Sequence, residues 1–226
     1  MKNKYLKSAR ISEAKFRGLL KLFAEDVPAT TTTKLLRLNY NTTHRLYTLL
    51  RQRIMQLTRE EFTPFFGDVE VDESYFGPTR LRGNKGRMAL QKFPVLGLHK
   101  RGERVFVSVV KNCSKEALMP ILRGNILGES DVYTDGWKAY DGLVTDGYHH
   151  HRVFHHENEF VRGKNHVNGI ESFWSFAKLR LSRLNGIRPN RFFMHLKECE
   201  WRFNHRHDNI YYILRSSCRH FPLSAR

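Results

Sequence analysis

Three carboxylates spread across the chain, Asp72, Asp135 and Glu171, carry the chemistry this sequence suggests. Asp72 lies in the alternating stretch 68–76, Asp135 closes the short run 131–135, and Glu171 falls within 166–180, which has the three-four rhythm of a helix. Hard divalent cations take carboxylate oxygens, and a pair of such ions can activate an attacking oxygen on one and stabilise a leaving oxygen on the other. Packed together without cations, three carboxylates would repel and raise one another's pKa values. A cluster of them therefore makes sense chiefly as a metal cage, with Mg²⁺ expected, Mn²⁺ as a substitute, and two ions in the site. Singly, each residue also has a plainer reading: Asp135 before Gly136 can serve a turn, Asp72 can face solvent, and Glu171 can be surface charge.

The helix that carries Glu171 must hold it still. Val167, Ile170, Trp174, Ala177, Leu181 and Leu184 form an apolar stripe, while Asn168, Glu171, Ser175, Lys178 and Ser182 follow the same rhythm on the opposite face. Glu171 and Lys178 stand about 10 Å apart along the axis, too far for an ion pair. Taken alone, the pattern is also that of an ordinary solvated amphipathic helix.

Charge and composition narrow the partners. The 226 residues are 40% hydrophobic, enough for a core, and the net charge is +17. Residues 1–60 carry 13 Lys+Arg against 4 Asp+Glu, residues 161–226 again carry 13 against 4, and the stretch between carries 13 against 14. Two basic ends around a neutral, acid-bearing centre fit a polyanion, with double-stranded DNA as the expected partner. No run is long enough to span a membrane and no apolar signal core follows Met1, so a cytoplasmic protein without a membrane partner is expected. Cys113, Cys199 and Cys218 are odd in number and far apart, which predicts reduced thiols and no zinc ribbon.

In the first sixty residues the spacing predicts a helix over 12–24, a short segment over 31–36, a polar turn at 39–41 and a long helix over 42–57. This is the outline of a helix-turn-helix, whose last helix would present Asn41, Thr43, His44 and Arg45 to base edges. A plain three-helix appendage has the same outline. Beyond Pro64 the alternation predicts Val69, Val71 and Tyr75 on one face of a strand and Glu70, Asp72 and Ser74 on the other. Arg80, Arg82, Lys85 and Arg87 then punctuate a glycine-rich loop suited to phosphates or to a hairpin tip. Strands follow at 93–99 and 104–110, a helix at 114–122, a strand at 131–135, a short helix at 137–143 and a fifth strand at 150–154. The Glu171 helix and a last helix over 192–203 complete the chain, and 216–226 should fray. Such an order is that of an α/β, ribonuclease H-like fold, a mixed five-stranded sheet flanked by helices over 65–215, preceded by the helical region 1–60. The histidines at 149–151, 155 and 156 read as a partly exposed strand and loop, and the three tryptophans as core.

Thirty-five residues separate Asp135 from Glu171, and Lys178 lies seven beyond it, which resembles the D,D(35)E-plus-Lys signature of DDE transposases and retroviral integrases. Val71-Asp72-Glu73-Ser74-Tyr75-Phe76-Gly77, Tyr133-Thr134-Asp135, His166-Val167-Asn168-Gly169-Ile170-Glu171-Ser172-Phe173-Trp174 and Glu198-Cys199-Glu200-Trp201-Arg202-Phe203-Asn204 are similar to motifs of the small bacterial insertion-sequence transposases of the fifteen-ninety-five, or ISXO-like, family. The resemblance implies that Asp72, Asp135 and Glu171 ligate metal, that Lys178 touches DNA near the cleaved phosphate, that His166 is auxiliary, and that Asn168 is a rival or auxiliary to Glu171, since some members use Asn in the third catalytic place. Arg180 and Arg183 on the same helix would add DNA contacts. It further implies cleavage of transposon-end DNA by metal-activated water, attack of the freed 3′-hydroxyl on target DNA, and a multimer on the DNA. A DNA-binding regulator or inactive transposase-derived protein, and a nuclease of related fold, are the competing readings.

Overall fold

A computed structural model describes residues 3–8, 10–77, 92–135, 140, 143–153, 167–184 and 187–224. The chain divides into two compact units, one formed by Met1–Glu61 with His205–Arg226 and the other by Phe62–Asn204.

In the first unit, α1 (Glu13–Ala24), α2 (Ala29–Leu36) and α3 (Tyr40–Glu60) follow a two-residue strand β1 (Leu6–Lys7). Ser12 caps α1 by accepting from the Lys15 amide, and Asn39 caps α3 by accepting from Asn41 and Thr42. The threonine run is helical despite its poor propensity, because its hydroxyls find partners. Thr33 donates to the Ala29 carbonyl, and Thr32 lies buried against the Tyr47 hydroxyl at 2.8 Å, which in turn donates to the Val27 carbonyl.

Residues 205–226 depart from expectation. The segment placed at the end of the larger domain, with a frayed tail, instead forms α7 (Ile210–His220) and β7 (Leu223–Ser224), which pairs in parallel with β1. Leu214 and Cys218, one helical turn apart, are buried, Leu223 is buried beyond them, and Arg53 Nη2 donates to the Phe221 carbonyl at 2.7 Å. Asn209, whose side chain accepts from the Tyr212 amide, starts α7.

The second unit is built on a five-stranded mixed sheet of order β4-β3-β2-β5-β6, with β2 (Val69–Phe76), β3 (Phe93–Lys100), β4 (Val105–Val109), β5 (Asp131–Asp135) and β6 (His149–Val153). The first three strands are antiparallel neighbours, while β5 is parallel to β2 and β6 to β5. The parallel step from β4 into β5 is made through α4 (Lys115–Asn125). Helices cover both faces. Leu118, Met119 and Leu122 of α4 pack on Val69, Val71, Leu96, Leu98 and Val132, whereas α5 (Asn168–Ser182) and α6 (Pro189–Asn204) pack on Val95, Val107 and Tyr133 from the other side. This coverage corrects the reading of β2: Glu70 and Ser74 are buried with the helices over them, and Tyr75 on the opposite face is 50% exposed.

The outer edge of β4 is closed by side chains of α6. Asn204 both accepts from the Val105 amide and donates to its carbonyl, and Glu200 accepts from the Val107 amide at 3.0 Å. Cys113, Cys199 and Cys218 are free and buried. No helix among the described residues is long and apolar enough to cross a membrane.

One glycine decides how closely α5 can lie on the sheet. A Cβ at Gly97 in β3 would meet the Trp174 ring and come within 2.7 Å of Ile170 Cδ1. Gly97→Ala should therefore lower the unfolding free energy by about 1–3 kcal/mol, read as a lower urea midpoint at unchanged slope.

Candidate active site

Asp72 and Asp135 meet because β2 and β5 are adjacent and parallel. Their register pairs Glu70 with Tyr133 and Val71 with Thr134, so Asp72 and Asp135 each stand one residue beyond the last paired position, on strands about 4.8 Å apart. Equal parity puts both on the face that α5 covers. Asp72 is fixed from two sides, its Oδ2 accepting from the Trp174 indole at 2.9 Å and its Oδ1 from the Glu73 amide at 2.8 Å. Burial raises the Asp72 pKa against these two hydrogen bonds, and the charges of Asp135 and Glu171 raise it further. Both other acids are thus near enough to act on it.

Glu171 lies in the first turn of α5 and is exposed, its amide bonded to the Val167 carbonyl. Asn168, Ser175, Lys178 and Ser182 are exposed with it, while Val167, Ile170, Trp174 and Ala177 are buried, so the helix presents the two faces its spacing implies. Among the described residues, no three or more His, Cys, Asp or Glu side chains are gathered into a group that could hold a metal ion.

A family model for the ISXO2-like transposase domain matches residues 64–204, almost the whole of the second unit. The chain belongs to the ISXO2-like transposase family. It is 42% identical over 101 residues to an "Uncharacterized transposase-like protein" of Haemophilus influenzae (strain ATCC 51907 / DSM 11121 / KW20 / Rd), a match covering 45% of this chain and 81% of that one. It is 33% identical over 152 residues to an "Uncharacterized protein in transposable element ISH50" of Halobacterium salinarum (strain ATCC 700922 / JCM 11081 / NRC-1), covering 60% of this chain and 52% of that one. No solved structure matches.

Two residues of this family member that the sequence suggested for DNA are turned inward. Thr43 is buried on the core side of α3 with Leu46, Tyr47 and Leu50, its hydroxyl donating to the Asn39 carbonyl. Arg180 is only 5% exposed, because it lies on the α5 face that meets α6, where its Nη2 is 2.7 Å from Glu198 Oε1. Arg202 Nε reaches the same oxygen at 3.0 Å. Both residues are withdrawn from the DNA-facing set. Asn41, Arg45, Lys178 and Arg183 are exposed, and His44 is half-buried beside the Tyr40 ring. Arg80, Arg82, Lys85, Arg87 and His166 lie outside the described residues.

Other contributors had no readable signal. Trp174 is buried in the core as its spacing implies, and its indole N–H also holds a carboxylate. Glu70 and Glu73 flank Asp72 on the strand. Glu73, on the opposite face, accepts from the buried Tyr140 hydroxyl. Burial pushes the Glu73 carboxyl up to about 7, against the hydrogen bond from Tyr140 and with help from the charges of Asp72 and Asp135. Only long-range pairing determines these contacts.

Two measurements check these placements. Arg180→Ala should cost about 3–5 kcal/mol in urea denaturation, as removal of one member of a buried ion pair does, while Lys178→Ala and Arg183→Ala should stay within about 0.5 kcal/mol of wild type. Glu73 has a folded pKa above its unfolded value of 4.5, so the folded state binds the extra proton between pH 4.5 and about 7. Stability from this group is greatest below that window and falls as pH rises through it, by about 3 kcal/mol at most. The stability difference between wild type and Glu73→Gln in EDTA should change with pH across this window and be flat outside it; a pH-independent difference would contradict the assignment.

Proposed function

We propose that the protein is an insertion-sequence transposase that binds transposon-end DNA and catalyses metal-dependent strand cleavage and strand transfer. The observation that carries this reading is the register of β2 and β5, which sets Asp72 beside Asp135, with the charges of both Asp135 and Glu171 acting on Asp72. The strand order, with β5 and β6 parallel to β2, supports a ribonuclease H-like fold for 62–204, and α1 to α3 support a helix-turn-helix-like DNA-binding region.

The donor set fits a hard divalent cation. All three ligands would be carboxylates, and Asp72 uses one hydrogen bond on each oxygen, which leaves lone pairs on both. Asp72, Asp135 and Glu171 would hold Mg²⁺, or Mn²⁺ in its place. Bound there, such ions supply activation of the attacking oxygen and neutralisation of charge at the phosphate.

The remaining work belongs to the chain's own groups. Trp174 and the Glu73 amide keep the Asp72 carboxylate in one orientation. The buried face of α5 keeps Glu171 from drifting. Lys178, exposed about 10 Å further along the same helix, offers an ammonium to a backbone phosphate of the bound DNA. Asn168, one turn before Glu171, is placed to donate to a phosphate or solvent oxygen. Asn41 and Arg45 at the start of α3 offer groove contacts. Joining two DNA ends calls for more than one copy, so a multimer on DNA is part of the proposal.

Incubation with the element's terminal DNA and Mg²⁺ should give strand cleavage that Asp72→Asn, Asp135→Asn and Glu171→Gln each reduce by about 10²-fold or more. Asn168→Ala should reduce it less than Glu171→Gln. Cleavage that survives all three acid substitutions would refute the reading, and the reverse ranking would move the third ligand to Asn168.

A further inference from the structure

We propose that Glu70 is a positioning residue for the acid cluster, its buried carboxylate setting where α5 begins relative to the strands that carry Asp72 and Asp135. The inference rests on the reading of Asp72, Asp135 and Glu171 as metal ligands, and it assigns work to a fourth carboxylate that touches neither metal nor DNA.

The first turn of a helix leaves amides without intrahelical partners, and a local Ser, Thr, Asp or Asn side chain usually accepts from one of them. In α5 the capping position is Val167, which makes no such bond. The acceptor comes instead from β2, where Glu70 Oε2 takes the Ile170 amide at 2.9 Å. Glu70 is 1% exposed, so nothing but protein can fix it. Arg101 Nε donates to its other oxygen at 3.0 Å, and His99 Nδ1 lies 3.4 Å from Oε2. Donors from β3, the residue after it and the start of α5 thus converge on both oxygens of this one carboxylate. The approach is close enough to require Gly169. A Cβ there would run into the His99 ring and stand 2.8 Å from Glu70 Oε2.

The network touches all three acid-bearing elements, each within two residues of its acid. Glu70 precedes Asp72 by two positions on the same face of β2, about 7 Å away along the strand. Ile170 immediately precedes Glu171. Arg101 lies over the Tyr133 ring at 3.7 Å, and Tyr133 precedes Asp135 by two positions on β5, with its hydroxyl donating to Asp68 at 2.9 Å. The buried Ile170 amide needs an acceptor for stability in any case. Drawing that acceptor from β2 also fixes the spacing of the three acids, and outer partners of metal ligands typically alter affinity by about 10- to 100-fold.

The test measures Mn²⁺ binding to the full chain without DNA, by loss of the free-ion paramagnetic resonance signal, for wild type, Glu171→Gln, Glu70→Ala and Glu70→Gln. Thermal melts check that each is folded. Glu70→Ala should weaken Mn²⁺ binding about tenfold or more. Glu70→Gln, which keeps an acceptor oxygen for the Ile170 amide, should fall between it and wild type. In end-DNA cleavage, raising Mn²⁺ should recover the rate of the Glu70 variants but not that of Glu171→Gln, a split that a loss of fold would not produce. If Glu70→Ala does not fold, Glu70→Gln carries the same comparison. Wild-type Mn²⁺ affinity in a folded Glu70 variant overturns the Glu70 assignment alone. Absence of Mn²⁺ binding by wild type, or binding unaffected by Glu171→Gln, overturns the metal-site reading and this inference with it.

Discussion

The hydrogen bond between the Trp174 indole and the Asp72 carboxylate is the contact on which the arrangement of the second unit turns. It joins the central strand to the helix that bears Glu171, and it exists only because Gly97, opposite Asp72 in the antiparallel register, leaves room for the ring. A larger residue at 97 would lift α5 and draw Glu171 away from Asp72 and Asp135 on the strands. The ring completes the fit by packing against Phe76 and Phe173, so the same side chain is core on its faces and a hydrogen-bond donor at its edge. Glu70 makes a second fastening at the start of the same helix. A helix held at two points on one strand can neither slide nor rotate relative to it, which is the mechanical requirement for a site assembled from distant parts of the chain.

Electrostatics divide the buried acids of this unit into two kinds. Glu70 and Glu198 are surrounded by Arg and His donors, which compensate their burial. Asp72 and Glu73, on opposite faces of β2, are held instead by neutral donors, the Trp174 indole and the Glu73 amide for one and the Tyr140 hydroxyl for the other, and burial raises both pKa values. Glu200 stands between the two kinds, buried and paired with Lys197, with burial still raising its pKa.

The two basic ends of the chain also separate into different uses. Part of the positive charge near the C-terminus is spent inside the protein: Arg180 and Arg202 flank Glu198, and Lys197 pairs with Glu200 at 2.7 Å beneath the Phe106 ring. What remains outward, such as Lys178 and Arg183 on α5 and Arg45 on α3, is the part a polyanion could meet. Net charge alone thus overstates the surface available to DNA. Side chains of α6 also close the edge of β4, so the motif from Glu198 to Asn204 owes its residue types to packing and edge protection more than to chemistry.

Much of this was legible in the sequence because the relevant signals are local. Period-two and period-three-four hydrophobicity marked the strands and α5, the polar face of α5 is exposed as its spacing implies, and the order of elements led to a five-stranded mixed sheet. Periodicity says which side of a helix is apolar but not what lies across from it, so Arg180 read as a surface cation until α6 placed Glu198 against it. Thr43 failed for a related reason, a polar residue on the core side of α3 being invisible to a count of apolar positions. The C-terminal residues carry little local signal because α7 and β7 gain their partners from the N-terminal segment, a pairing between chain ends that no window contains. The sequence by itself determined the elements, the family motifs and the three acids. Only the tertiary structure decided that Asp72 and Asp135 share a register, that Trp174 and Glu70 bind α5 to their strand, and which charges are buried, because each depends on contacts between residues as many as 102 positions apart.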